Sequence, residues 1–204
     1  MRFDAILSDL DGVLVDSGDA VEAVWRDWAA ERGLDAEAVA RASHGVPSRE
    51  VIAAVAPQLD AAAEAERVDA LHAETGGDAL PGAAELLAAA PAGTLAVVTS
   101  CGAALAAARL RSAGLPEPEI LVTADAVRRG KPAPDAYLVA AQALGAEPSG
   151  CVVIEDAPAG VRAGRAAGMT VWAVTTTHAE DELREADRTA ADLAALLGPL
   201  GLTD

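Results

Sequence analysis

The sequence predicts an α/β protein built on a parallel sheet, with a small helical segment inserted near its start. Three observations lead there. Short apolar runs end in polar residues at Ala5 to Leu7 before Ser8 and Asp9, at Leu95 to Val98 before Thr99 and Ser100, and at Val152 to Ile154 before Glu155 and Asp156. Continuous apolar runs of that length are what strands buried on both faces of a sheet require. Helical patterns follow and separate these runs, the β-α alternation of a Rossmann-like parallel-sheet core. The long stretch between the first two runs is helical rather than strand-like, which breaks the alternation and marks an insert.

Taken in order, Ala5 to Leu7 is the first strand. Residues 17 to 80 then read as a helical cap, rich in Ala and Glu, bounded by Asp16-Ser17-Gly18 and Leu80-Pro81-Gly82. Gly and Pro at both ends suit hinges, so the expected division is 1–16 and 81–204 for the core and 17–80 for the cap. Trp25 and Trp28, three apart on one helix face, read as cap core. Beyond the cap, strands are expected at Leu95 to Val98, Ile120 to Thr123, Val152 to Ile154 and Thr170 to Val174. Helices are expected at Ala103 to Ala113, Asp135 to Leu144 and Ala159 to Ala167, with stops near Gly114, Gly145 and Gly168.

The chain has 204 residues, 52% of them hydrophobic and 23% charged, enough to bury a substantial core. Its formal charge of −17 opposes a nucleic-acid backbone and an anionic membrane surface, while leaving room for one locally captured anion. Two cysteines, Cys101 and Cys151, are too few for a disulfide scaffold and point to a reducing cytosol. No window approaches the ~18 apolar residues of a membrane span, and no export signal is expected.

Asp9-Leu10-Asp11-Gly12 follows the first strand, and extended residues two apart face the same side, so both carboxylates can meet at one site. Their repulsion calls for a shared proton or a divalent metal, unless they are simply acids of a turn. Lys131 is the only lysine, the other 14 of the 15 basic side chains being arginine. Its place in Gly130-Lys131-Pro132 suggests a compact point charge where a planar guanidinium would not fit. Thr99 and Ser100 end the second strand, where they can hold an anion or cap the next helix. Glu155 and Asp156 offer hard oxygen ligands at the end of a third strand, with capping before Pro158 as the rival account.

Together these four motifs, in order and across almost the whole chain, resemble the haloacid dehalogenase superfamily of phosphohydrolases. The insert, with Val24-Trp25-Arg26-Asp27-Trp28 and Ser43-His44-Gly45, is similar to that of the β-phosphoglucomutase-like branch and its sugar and polyol phosphatases. Gly160 to Gly168 and Val174-Thr175-Thr176-Thr177-His178 strengthen the narrower likeness. The resemblance implies Asp9 as nucleophile, Asp11 as general acid and base, and catalytic roles for Thr99 and Lys131. It implies Mg²⁺ held by the Asp9 carboxylate, the Asp11 carbonyl and Asp156, with Glu155 assisting. Ser100 and Cys101 adjoin the phosphate loop, Cys101 also reading as a small buried apolar residue. His44 and Arg49 are the cap's candidates for the substrate, against a turn histidine and a helix-surface arginine. His72 and His178 have no partner at metal-ligand spacing and read as structural or surface residues.

The implied activity is Mg²⁺-dependent hydrolysis of a small phosphorylated sugar or polyol, by a cytoplasmic monomer with no nucleic-acid or membrane partner. A phosphosugar mutase is the alternative. Mutases of this branch resemble one another in a histidine about ten residues after the second Asp, where this chain has Val21. A phospho-acceptor module is the remaining reading; receivers lack both the insert and a second Asp two positions after the acceptor.

Overall fold

The structure, a computed structural model, describes residues 3–43 and 46–203. Strands β1 (Ala5–Ser8) and β2 (Val15–Asp16) lead into helices α1 (Gly18–Glu31), α2 (Ala36–Ser43), α3 (Ser48–Val55) and α4 (Ala61–Thr75), and then strand β3 (Asp78–Ala79). Helix α5 (Ala83–Ala89) precedes β4 (Leu95–Val98), α6 (Ala103–Ser112), β5 (Ile120–Val122) and α7 (Asp135–Leu144). Strand β6 (Cys151–Glu155), α8 (Pro158–Ala166), β7 (Thr170–Val174), β8 (Arg188–Ala190) and α9 (Ala194–Leu200) complete the order.

Six strands form one parallel sheet in the order β5-β4-β1-β6-β7-β8. The apolar runs are continuous because both faces are covered. Ile6, Val97, Val152 and Ile154 pack on one side with Leu86 of α5, Leu110 of α6 and Leu196 of α9. Leu7, Val98 and Val153 pack on the other with Tyr137 and Ala140 of α7 and Val161 of α8. The chain runs outward from β1 to β4 and β5, then returns to the other side of β1 for β6. That reversal opens a crevice at the carboxyl ends of β1, β4 and β6, the usual place for a ligand in such a sheet.

The core helices and strands fall where apolar periodicity places them, α7 ending as expected at Gly145, left-handed with φ 66°. Strand β8 had no counterpart in the sequence reading. It is an edge strand with one exposed and two half-buried residues, so no apolar run marks it. Helix α9 was missed too, and it carries Pro199 inside its last turn.

Helices α1 to α4 bury a cluster of their own around Trp25, Trp28, Val39, Ile52 and Val68. Trp25 and Trp28 are both 2% exposed and meet edge to face at 5.5 Å, as core aromatics do. The Trp28 indole N–H donates to Glu64 at 2.8 Å, and Arg32 lies over the Trp28 ring while pairing with the same carboxylate. Strands β2 and β3 pair antiparallel, Val15 opposite Ala79 and Asp16 opposite Asp78, so the chain enters and leaves this helical segment side by side. Among the described residues, no helix is long and apolar enough to cross a membrane.

Candidate active site

Asp9 directly follows β1, Thr99 follows β4, Glu155 ends β6, and Lys131 reaches in from the loop between β5 and α7. The Lys131 ammonium, 2% exposed, donates to Asp9 Oδ1 at 2.7 Å, to Glu155 Oε1 at 2.7 Å and to the Val98 carbonyl at 3.2 Å. Its three N–H donors are thereby all used. Three acceptors converging on one small cation explain why a lysine stands here in a chain that otherwise uses arginine.

Glu155 is held from every side. Its Oε1 accepts from Lys131 and from the Tyr137 hydroxyl at 2.6 Å, and its Oε2 from the backbone N–H groups of Asp156 and Ala157 at 3.1 and 3.3 Å. Four donors occupy the lone pairs of this carboxylate. Asp156 accepts from the Thr177 hydroxyl, and Thr176 donates to the Gly12 carbonyl, which ties the loop after β7 to the loop after β1. Gly12, left-handed at φ 81°, lies where a Cβ would overlap the Asp156 carboxylate.

Asp9, Glu155 and Asp156 bring carboxylate oxygens within 4.8 Å of one another, all buried. Burial pushes Asp9 up to about 7, with Glu155 and Asp11 adding repulsion and Lys131 opposing it. Burial also raises Asp156 well above the usual carboxylate range, helped by Glu155 and Asp9. Lys131 is pulled down by burial, but Asp9 and Glu155 outweigh this and hold it above its ordinary value, so it stays charged. Three acids against one ammonium hold protons unless a further cation takes their place, a donor set that fits a hard divalent cation such as Mg²⁺. Because Glu155 is saturated, Asp9 and Asp156 are the carboxylates with capacity left for an ion.

Asp11, two residues after Asp9, belongs to a second group. Its Oδ1 accepts from the Ser17 hydroxyl at 2.5 Å and lies 3.3 Å from Arg109 Nε, and its Oδ2 accepts from the Cys101 thiol at 3.1 Å. Arg109 is 1% exposed and also donates through Nη1 to Thr75 Oγ1 at 3.2 Å and to the Gly76 carbonyl. Burial, with the Asp11 charge, raises the Cys101 thiol well above its ordinary value, so it acts as a donor rather than a nucleophile. Cys101 is thus a polar neighbour of Asp11 as well as a small packed residue.

A cavity of about 420 Å³ lies between the helical cluster and the strand ends, lined in part by Asp9, Asp11, Thr99, Ser100, Cys101 and Asp156. Thr99 Oγ1 accepts from the Cys101 N–H at 3.0 Å, a contact within the loop, because α6 begins only after Gly102 and has no side-chain cap, so the helix-capping alternative is not what the structure shows. Lys131 and Glu155 stand behind this floor, buried. Arg49 is exposed on α3 and does not line the cavity, and His44 lies outside the described residues.

The sequence reading missed Arg109, Tyr137, Ser17 and Thr177. Arg109 left one signal, a charged residue on the apolar face of α6 beside Leu105, Ala106 and Leu110. His72, set aside as structural or surface, is buried at 3% exposed in the cavity wall.

Residues 3–168 match the family model of haloacid dehalogenase-like hydrolases. The chain belongs to that family. The hydrolase is 47% identical over 194 residues to hexitol phosphatase A of Escherichia coli, covering 92% of this chain and 90% of that one. It is 36% identical over 202 residues to glycerol-1-phosphate phosphohydrolase 2 of Saccharomyces cerevisiae, covering 91% and 80%. Among solved structures, a hydrolase of the same family from Deinococcus radiodurans, with bound phosphate and sodium, superposes with a TM-score of 0.71 at 37% identity, covering 98% and 97%. The hydrolase therefore has phosphatases of sugars and polyols as its relatives.

Proposed function

We propose that the protein is a Mg²⁺-dependent phosphatase of small phosphorylated sugars or sugar alcohols, acting through an aspartyl phosphate on Asp9. The observation that carries this reading is the pairing of two differently held carboxylates at one cavity, Asp9 on Lys131 and Asp11 on Arg109 and Ser17. Relatives named for hexitol, glycerol and 2-deoxyglucose phosphates support the substrate class.

Lys131 fixes Asp9 Oδ1, leaving the other carboxylate oxygen to attack phosphorus. The P–O bond to the leaving alcohol breaks, and Asp11 gives that oxygen its proton. Asp11 then takes a proton from water as the water attacks phosphorus, the acyl phosphate bond breaks, and inorganic phosphate and a free Asp9 carboxylate result. Lys131 offsets negative charge where the nucleophile meets the phosphoryl group, and Thr99 with the following N–H groups receives the phosphoryl oxygens. Asp9 and Asp156, with the Asp11 backbone carbonyl, would hold Mg²⁺, which when bound supplies positive charge to the same phosphoryl oxygens and keeps Asp9 ionised at neutral pH.

Residues 17–80 act as the cap on a core of 1–16 and 81–204, with the paired strands β2 and β3 as its double hinge. Val21 lines the cavity ten residues after Asp11 and offers no proton-transfer group, which favours hydrolysis over mutase chemistry. The soluble, strongly acidic chain suits a cytoplasmic monomer acting on small metabolites rather than on nucleic acid or membranes. The test is phosphate release from a panel of sugar and polyol phosphates, with and without Mg²⁺. Metal-dependent release that disappears in Asp9→Asn is expected, and Asp9→Asn turnover equal to wild type would refute the reading.

A further inference from the structure

The cavity wall away from Asp9 contains two buried polar side chains whose hydrogen bonding is incomplete. His72 is 3% exposed and Arg109 1% exposed, and both line the cavity together with Val21, Trp25 and Leu105. Arg109 spends Nη1 on Thr75 and Gly76 and turns Nε toward Asp11, while Nη2 has no hydrogen-bond partner among the described residues. The Val21 backbone favours the protonated His72 ring, as a neighbouring hydrogen-bond acceptor does, and the ring's Nε2 has no partner among the described residues. Buried polar atoms in native proteins are paired as a rule, so three unpaired ones, Nε2 of His72 and Nε and Nη2 of Arg109, on two side chains of one cavity wall call for a partner.

Their chemistry is complementary. A neutral ring carries one proton, and placing it on Nδ1, toward the Val21 backbone, leaves Nε2 with its lone pair. Burial and the nearby Arg109 charge lower His72 to about 4, so the ring is neutral at physiological pH and Nε2 remains an acceptor. Arg109 Nη2 is a donor, and its charge is already balanced by Asp11. A group that both donates and accepts while carrying no charge satisfies both atoms. An alcohol hydroxyl does this, whereas a second phosphate would meet the His72 lone pair and the Asp11 charge.

We infer that His72 and Arg109 form a hydroxyl-binding subsite for the leaving alcohol, which donates to His72 Nε2 and accepts from Arg109 Nη2. The inference rests on the phosphatase reading and adds the residues that distinguish a polyol from a bare alkyl chain. Apolar Val21, Trp25 and Leu105 line the same cavity, Trp25 with its ring 5.9 Å from the His72 ring, so the carbon backbone of the polyol has apolar contact while its hydroxyls meet the polar atoms.

The experiment compares sorbitol 6-phosphate with hexyl phosphate, equal in chain length and differing in hydroxyls. Wild type is expected to favour the polyol, and His72→Leu to lower the ratio of kcat/KM values roughly tenfold or more, chiefly through KM. His72→Gln, which retains an acceptor oxygen, should keep most of the ratio, and Arg109→Lys, which loses the guanidinium fork, should lower it. Where His72→Leu does not fold by circular dichroism, His72→Phe takes its place. A ratio unmoved by these changes, with both substrates turned over by wild type, overturns the subsite and leaves the phosphatase reading intact. If wild type hydrolyses neither, the phosphatase reading fails, and calorimetric binding of the two phosphates to Asp9→Asn decides the subsite by itself. Equal affinities would overturn it; a polyol preference abolished by adding His72→Leu would sustain it.

Discussion

Gly160 on α8 lies so close to Glu155 that a Cβ at position 160 would overlap the Glu155 carboxylate. The contact is part of how the site is held, because that carboxylate anchors Lys131, which in turn holds Asp9. Gly160 is helical and its backbone is unstrained, so the requirement for glycine here is space alone.

Gly160→Ala should therefore displace Glu155 and loosen Lys131. Overpacking of this kind costs about 1–3 kcal/mol, to be read by urea unfolding. Phosphate release should fall at least tenfold, and retention of full turnover would contradict the anchoring role of Glu155.

Lys131→Met leaves Asp9 and Glu155 buried without their cation. Removing one partner of a buried ion group costs about 3–5 kcal/mol, so a large drop in melting temperature and loss of turnover are expected. Lys131→Arg should not restore activity, since a planar fork cannot meet Asp9, Glu155 and the Val98 carbonyl at one point. An active Lys131→Arg enzyme would show that charge alone suffices.

Metal and pH should act on the same carboxylates. Asp9 is raised from 3.8 to about 7, and Asp156 is raised as well, so the folded chain without metal binds protons more tightly than the unfolded chain. The stability these groups contribute is then full below pH 3.8 and is lost as pH rises through about 7. An ion competing with those protons should stabilise the fold more at pH 8 than at pH 5. Scanning calorimetry with and without Mg²⁺ at the two pH values checks this, and an equal Mg²⁺ effect at both would count against carboxylate ligation.

His72 titrates with the opposite sign. Its value falls from 6.5 to about 4 on burial, so the stability due to its neutral form is present above pH 6.5 and is lost as pH falls through about 4. The difference corresponds to about 3 kcal/mol at most, from 1.36 kcal/mol per pH unit. Wild type should thus lose more stability than His72→Gln between pH 6.5 and 4, and parallel losses would place the imidazole in a more polar setting.

Much of the core was legible because a strand buried on both faces must be apolar throughout. Leu95–Val98 and Thr170–Val174 are marked by that run to the residue. Edge strand β8 carried no such mark because its residues are exposed or half-buried. In the site, Asp9, Asp11, Lys131 and Asp156 stood out by position and residue type. Arg109 and His72 did not, because an arginine on a helix and an isolated histidine gain meaning only from what faces them.

By itself the sequence determined the parallel sheet, the helical insert, the three strand-end motifs and the lone lysine of the loop before α7, since each rests on local periodicity, on the residue that ends a strand or on residue type. Tertiary structure alone decided that Glu155 is saturated by four donors, that Arg109 joins Asp11 to the chain leaving α4, and that His72 is buried in the cavity wall with Nε2 unpartnered among the described residues. Those relations join residues far apart in the chain, and which donors an oxygen meets depends on how helices and sheet pack, a property that no short window of sequence contains.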